Sequence, residues 1–330
     1  MNALDVLIQS ADRVSDDLTV RSAIEMYEAA RSADWSPSTR KSHAWHAAPV
    51  IEAFGSVPLA DLRGSDISDV YVAWRSSGKA PGTIRRRHSL FAAALHHSVR
   101  SGWILRSPAE DVVLPKVKRN LMDLPSYQSI ETALDRIPES HRRLQAVARL
   151  ALASGARRGE LAGLRWTDVD FSARCIRIHA AIAEGPDGVL TRKQTKTGSV
   201  RIVDVDADAM TDLRRWKSDS AARALALGVG LPDSAPVFGS PTDPFLHIKP
   251  SRISQDWSRC QDAIGLDDVR FHDLRHRYAT TLLEEGVPIH HVSQRLGHST
   301  PTITLITYAH AIPSGDRAGA AATSAARRAR

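Results

Sequence analysis

His272-Asp-Leu-Arg275 sets an imidazole and a guanidinium three residues apart, on one face of any helix that carries them. The pair suits a phosphate, because arginine offers a bidentate fork and histidine moves a proton near neutral pH. The same four residues could equally be a solvated helix start with Asp273 in its first turn. A metal is a third reading, since His272 and His276 have the i,i+4 spacing of a helical zinc pair. A zinc-protease motif, however, has glutamate directly after the first histidine, and here Asp273 and Arg275 lie between the two rings. A cation that close to a metal is electrostatically unfavourable, so no metal is expected.

Three other segments carry candidate chemistry. Ser154-Gly-Ala-Arg157-Arg158-Gly-Glu160 lies where one helix ends and another begins, so Arg157 would stand at a helix start whose free N–H groups already favour anions. Glu160, one turn on, could hold an arginine or histidine in position, or belong to a surface cluster. Thr195-Lys196-Thr197-Gly198 reads as a hairpin tip between Val189 and Val200, from which Lys196 could swing in as a general acid or simply be a charged turn. Leu296-Gly297-His298 ends a helix with a glycine and puts His298 at its exposed boundary. Tyr308 follows ten residues later. A lone tyrosine is most often a packing residue, so Tyr308 gains meaning only from company.

These residues need elements to carry them. The first hundred residues read as four helices: one around Ile24 and Tyr27, Thr39–Phe54 after Ser36-Pro37, one opened by Ser65-Asp66, and Thr83–Arg100 between Pro81-Gly82 and Gly102. Ser107-Pro108, Leu114-Pro115 and Leu124-Pro125 then interrupt the pattern around Lys116, Lys118 and Arg119, which predicts an extended basic linker. Beyond it, helices at about 126–137 and 141–154 precede strands at 175–179, 189–196 and 200–204. Helices resume at about 206–227, 251–264, 273–285 and 289–296. The expected fold class is mainly α with a small antiparallel β-sheet. The expected divisions are a flexible N-terminus at 1–14, a helical domain at 15–107, a linker at 108–122, a mixed domain at 123–313 and a flexible basic tail at 314–330.

Bulk properties narrow the classes. With 330 residues, 42% hydrophobic and 25% charged, the chain is long enough for two packed domains and is neither collagen-like nor disordered. Two cysteines, Cys175 and Cys260, exclude a disulfide framework and a four-cysteine zinc site. No apolar run reaches the ~20 residues of a membrane span, and the acidic start is unlike a signal peptide, so a cytoplasmic protein with no membrane partner is expected. The formal net charge is +7, but the last 17 residues alone contribute +3. The body is therefore nearly neutral, and any affinity for nucleic acid must come from where its charges lie.

In order along the chain, Arg157, Lys196, His272, Arg275, His298 and Tyr308 resemble the tyrosine recombinase (phage integrase) family, whose pattern is Arg, Lys, His-x-x-Arg, His or Trp, then Tyr. The resemblance spans about residues 15–313 and implies an all-α core-binding domain followed by a mixed catalytic domain. It implies site-specific recombination of double-stranded DNA through a covalent 3′-phosphotyrosine and a Holliday junction, by a homotetramer, with no ATP, metal or other cofactor. Accessory or directionality factors are a further implied class of partner. In that scheme Tyr308 is the nucleophile, His272 its base, Lys196 the acid for the leaving 5′-oxygen, Arg157 and Arg275 the phosphate clamp, His298 a phosphate contact and Glu160 a support. The His298-to-Tyr308 spacing is ten where nine is frequent, but residue 307 is threonine and Tyr278 reads as core, so Tyr308 keeps the role. DNA grip is expected from Arg85, Arg86 and Arg87, then Arg40 and Lys41, then Lys116, Lys118 and Arg119, mainly on phosphate. A type IB topoisomerase-like relaxing enzyme and a catalytically dead DNA-binding relative are the alternatives.

Overall fold

The computed structural model describes residues 18–117, 124–194 and 200–311. The expectations for 1–14, Lys118, Arg119, Lys196 and the tail 314–330 lie outside the described residues. The chain divides into two compact units with a boundary near residue 121, residues 185–189 being grouped with the first.

The first unit holds α1 (Val20–Arg31), α2 (Pro37–Phe54), α3 (Gly64–Ser76) and α4 (Pro81–Arg100). Their starts follow the sequence signals. Thr19 caps α1, and the Ser36 hydroxyl accepts the Thr39 N–H at 3.1 Å with Pro37 in the first turn of α2. Ile24, Phe54, Ile67, Ile84, Phe91 and Leu95 are buried together, with Phe54 stacked on Phe91 at 5.5 Å. Ala109 and Val112 are buried in the same cluster and Leu114 packs against it. The stretch expected as linker from residue 108 is therefore anchored at its start by apolar contacts. Residues 112–117 have no regular secondary structure.

The second unit is mixed. α5 (Tyr127–Leu134), α6 (Arg142–Ser154) and α7 (Arg158–Gly163) precede the strands, and α8 (Ala207–Ala226), α9 (Pro250–Cys260), α10 (Phe271–Glu284), α11 (Ile289–Leu296) and α12 (Pro301–Tyr308) follow them. Leu150 and Leu152 of α6, Ile176, Phe238, Trp257 and Leu274 lie in one buried core. Arg149 on the same helix is fixed from outside that core by Glu131 at 3.1 Å and Asp135 at 2.5 Å. The rigid helix α6 thus delivers its C-terminus, Ser154-Gly155, to a defined place.

The strands pair differently from the simple meander the sequence suggests. β1 (Val169–Asp170), β2 (Cys175–Ile178) and β5 (Arg201–Asp204) form one antiparallel sheet, with Ile176 opposite Val203. β3 (Ala180–Glu184) and β4 (Leu190–Gln194) form a separate hairpin, with Ile182 opposite Arg192, turned at Gly185–Gly188. A strand break at His179 separates β2 from β3, so β4 and β5 belong to different sheets. The strands expected at 189–196 and 200–204 therefore do not pair with each other as a hairpin: β4 pairs with β3 and β5 with β2. The helix α12 was also not foreseen.

Candidate active site

The site begins where α6 stops. Gly155 has a φ of 63°, a left-handed conformation that costs a side-chain-bearing residue about 1–2 kcal/mol. A β-carbon there would sit 2.4 Å from Tyr278 Cδ1, so only glycine lets the chain turn against that ring. The turn has two products. The Gly155 carbonyl accepts a hydrogen bond from Arg275 Nη1, and Arg157 becomes the residue before α7.

Glu160, in the first turn of α7, is nearly fully buried and serves two arginines. It accepts from the Arg157 N–H at 2.8 Å and Arg157 Nη1 at 3.0 Å, and from Arg201 Nη1 at 3.1 Å and Nη2 at 2.6 Å. Burial pushes its pKa up, but the hydrogen bond and charge of Arg201, and then those of Arg157, overcome this and hold it below the usual carboxylate range. Arg201 projects from β5, and its Nε donates to the Arg295 carbonyl at 2.9 Å. The sequence reading missed Arg201. Its one signal was an arginine beginning a short apolar strand, which is too common to read.

α10 and α11 supply the next layer. Asp273 accepts the Arg270 N–H at 2.8 Å and so fixes the start of α10. Arg275, one helical turn from His272, is 3% exposed. Its Nη2 donates to the Leu296 carbonyl at 2.9 Å and to His298 Nε2 at 2.9 Å. Desolvation first, and then the charges of Arg157 and Arg201, lower its pKa to about 10, which leaves it a cation at neutral pH. Gly297 closes α11 with a φ of 64°, and its carbonyl accepts from Arg157 Nη2 at 2.9 Å. The two arginines are thus aimed by backbone carbonyls at two glycine-terminated helix ends.

His298 has a definite tautomer. A guanidinium can only donate, so Nε2 accepts from Arg275, and Nδ1–H donates to Thr304 Oγ1 at 2.7 Å. Desolvation, followed by Arg275 and Arg157, holds its pKa down at about 4, consistent with a neutral ring. Thr304 and Tyr308 are i,i+4 on α12 and are the buried face of that helix, whereas Ile303, Leu305 and Ile306 are exposed. Tyr308 is 3% exposed. Burial raises its pKa to about 12 against the lowering charges of Arg275 and Arg157.

The Tyr308 hydroxyl lies 2.8 Å from His276 Nδ1. This departs from the sequence reading, which gave the role of base to His272 and weighed His276 only as a metal ligand. The helix geometry explains the difference. His272 lies in the first turn of α10 and is exposed, whereas His276, a full turn deeper, faces α12. The two imidazoles meet edge to face at 4.9 Å. Desolvation, then His276 and Arg275, press the His272 pKa down to about 4. Tyr278 is core as expected, buried with its hydroxyl 2.5 Å from Arg295 Nε.

The phage integrase family profile matches residues 122–314. The chain belongs to the phage integrase family of tyrosine recombinases. It is 28% identical over 276 residues to the tyrosine recombinase XerC-like protein of Caldanaerobacter subterraneus subsp. tengcongensis, covering 79% of this chain and 70% of that one. Its fold is similar to that of the Tn1549 transposon integrase in complex with a circular intermediate DNA, with a TM-score of 0.73 at 18% identity over 92% of this chain and 99% of that one. It is also similar to the lambda integrase tetramer bound to a Holliday junction, with a TM-score of 0.67 at 18% identity over 92% and 82%. The protein is thus a site-specific recombinase of a family whose members cleave DNA and transfer strands. Among the described residues, no helix of the recombinase is long and apolar enough to cross a membrane.

The basic residues expected to grip DNA fall into two groups. Arg40 and Lys41 on α2, Arg85 and Arg86 in the first turns of α4, and Lys116 are exposed. Arg87 is a correction: it is 5% exposed, its guanidinium stacked 4.6 Å from the Trp74 ring and 5.7 Å from Trp45. The helical period turns this third arginine of the run inward, where it packs as a cation–π partner.

Proposed function

We propose that the recombinase cuts and rejoins specific double-stranded DNA sites with Tyr308 as nucleophile. The Tyr308 phenolic oxygen gives up its proton and attacks the scissile phosphorus, the P–O5′ bond breaks, and a 3′-phosphotyrosine and a 5′-hydroxyl result. Attack by a 5′-hydroxyl from a second duplex reverses the chemistry on a new partner and yields a Holliday junction. The phosphotyrosyl bond conserves the energy of the broken link, so the cycle is isoenergetic and takes no ATP.

The observation that carries this reading is the convergence of two cationic guanidiniums, a neutral imidazole and a buried phenol on one set of helix ends. Arg157 and Arg275 are preorganised to stabilise charge building on the non-bridging oxygens, usually the largest catalytic contribution. Glu160 and Arg201 keep Arg157 in position. His298 and His272 contact the phosphate, His272 from the exposed first turn of α10 beside Arg275. Lys196, between β4 and β5, protonates the leaving oxygen.

Residues 15–107 form the core-binding domain, 108–122 the linker and 123–313 the catalytic domain. Arg40, Lys41, Arg85, Arg86, Lys116, Lys118 and Arg119 neutralise DNA phosphates. The active species is a homotetramer on two recombination sites in the cytoplasm, on nucleoid DNA, with accessory factors setting direction. A nicked suicide duplex built from DNA flanking the gene tests the reading. Wild type is expected to form an SDS-resistant, protease-sensitive adduct that Tyr308→Phe does not form. A specific shift of the duplex by wild type with no adduct would overturn it.

A further inference from the structure

The contact between Tyr308 and His276 assigns a residue outside the six-residue pattern. We propose that His276 takes the Tyr308 phenolic proton on Nδ1 as the oxygen attacks phosphorus. The inference rests on Tyr308 being the nucleophile.

Geometry carries it. Nδ1 is 2.8 Å from the hydroxyl, within the reach a general base needs, and the ring centroids are 5.6 Å apart. His276 is held by the rigid middle of α10, and Tyr308 by the buried face of α12, which Thr304 ties to His298. The phenol needs such a partner, because burial holds its own ionisation near 12. The base must also be unprotonated in the resting site. Facing His276 are His272, Asp273 and Arg275 of its own helix, Arg270 just before it, Tyr308 of α12 and, beyond α11, His298. Desolvation leads, Asp273 opposes it, and Arg275 and Arg270 add to it, so the ring is held below the ordinary imidazole value, which favours its neutral form.

The step balances. The O–H proton passes to Nδ1, the oxygen's electron pair forms the O–P bond, and the P–O5′ electrons leave with the 5′-oxygen, which takes a proton from the general acid. On religation the imidazolium returns its proton to the phenolate.

The test measures single-turnover cleavage of the nicked duplex from pH 5.5 to 10 for wild type, His276→Asn and His276→Ala. Asparagine keeps a polar atom near Nδ1 but cannot carry the proton. Adduct formation by wild type and its loss in Tyr308→Phe settle the underlying reading first. On that background both His276 variants are expected to lose about 10²–10³-fold at pH 7, as removal of a general base does. Wild type should be level above pH 7, whereas both variants should keep rising with pH toward the ionisation of Tyr308. If His272 or His298 were the base, both His276 variants would instead stay level above pH 7. A 5′-bridging phosphorothiolate, whose sulfur leaves without a proton, should rescue Lys196→Ala and not His276→Asn. If His276→Asn cleaves at the wild-type rate while His276→Ala does not, His276 only positions the phenol and the proposal fails. It fails equally if both variants match or exceed wild type, since the contact would then restrain the nucleophile.

Discussion

Replacing Thr304 by valine removes one oxygen from the site and changes little else. Threonine and valine have similar shapes and similar helix propensities, so α12 itself should be unaffected. Thr304 is fully buried, and its hydroxyl is the acceptor for His298 Nδ1–H at 2.7 Å. In Thr304→Val that donor is left without a partner in a partly desolvated place, at a cost of about 1–2 kcal/mol. For a catalytic unit of roughly 190 residues each kcal/mol moves Tm by about 2–4 °C, so a fall of roughly 2–8 °C is expected. The site loses something different. Without the Thr304 anchor the His298 ring can turn, or move its proton to Nε2 and face Arg275 donor to donor. An orientation penalty of ~1.4 kcal/mol in the transition state is a tenfold slower cleavage. Thr304→Ser separates the two effects, because it keeps the oxygen and loses only a methyl group. Serine should recover the cleavage rate on the suicide duplex while remaining slightly less stable than wild type. If valine cleaves like wild type, or if serine is as slow as valine, the account of how His298 is held is wrong.

Further expectations follow from the same contacts. Glu160→Gln removes a buried charge that serves Arg157 and Arg201, and should cost about 3–5 kcal/mol by leaving two cations uncompensated, read by denaturant unfolding; a loss under 1 kcal/mol would contradict this. Gly155→Ala adds a β-carbon against Tyr278 at positive φ, and should lower stability by about 2–5 kcal/mol, checked by thermal melting of the purified variant. His272 and His298 are held near 4 against an ordinary 6.5, so the unfolded chain binds their protons first. Their contribution is complete above pH 6.5 and is lost as the pH falls toward 4; a Tm that is flat or rises on acidification across that window would refute it. Arg85→Ala and Arg86→Ala should each reduce the slope of log K against log salt by about one, measured by titrating labelled duplex, whereas Arg87→Ala should lower Tm and leave the slope unchanged.

Much of this protein could be read from its residues, for physical reasons that differ from place to place. The helices of the first unit were legible because proline and serine mark their starts and apolar residues recur at helical spacing. Arg157, His298 and the turns before them were legible because Gly155 and Gly297 mark helix ends locally. The partners of β4 and β5 were not, because a short strand's partner is set by distant packing, and the break at His179 leaves no turn residue to see. Arg87 was misread because a run of three arginines looks uniform until the helix period sends one inward to Trp74. His276 was weighed only as a metal ligand for a related reason. Its partner lies 32 residues away on α12, a helix whose threonine-rich sequence gives little amphipathic signal.

The most direct test of the account is to identify the amino acid that carries DNA in the trapped adduct. Mass spectrometry of the nuclease-trimmed, protease-digested complex should find a nucleotide joined through its 3′-phosphate to the peptide containing Tyr308. A nucleotide on Tyr278 or any other residue, or a linkage through a 5′-phosphate, would contradict the assignment of the site and the chemistry built on it.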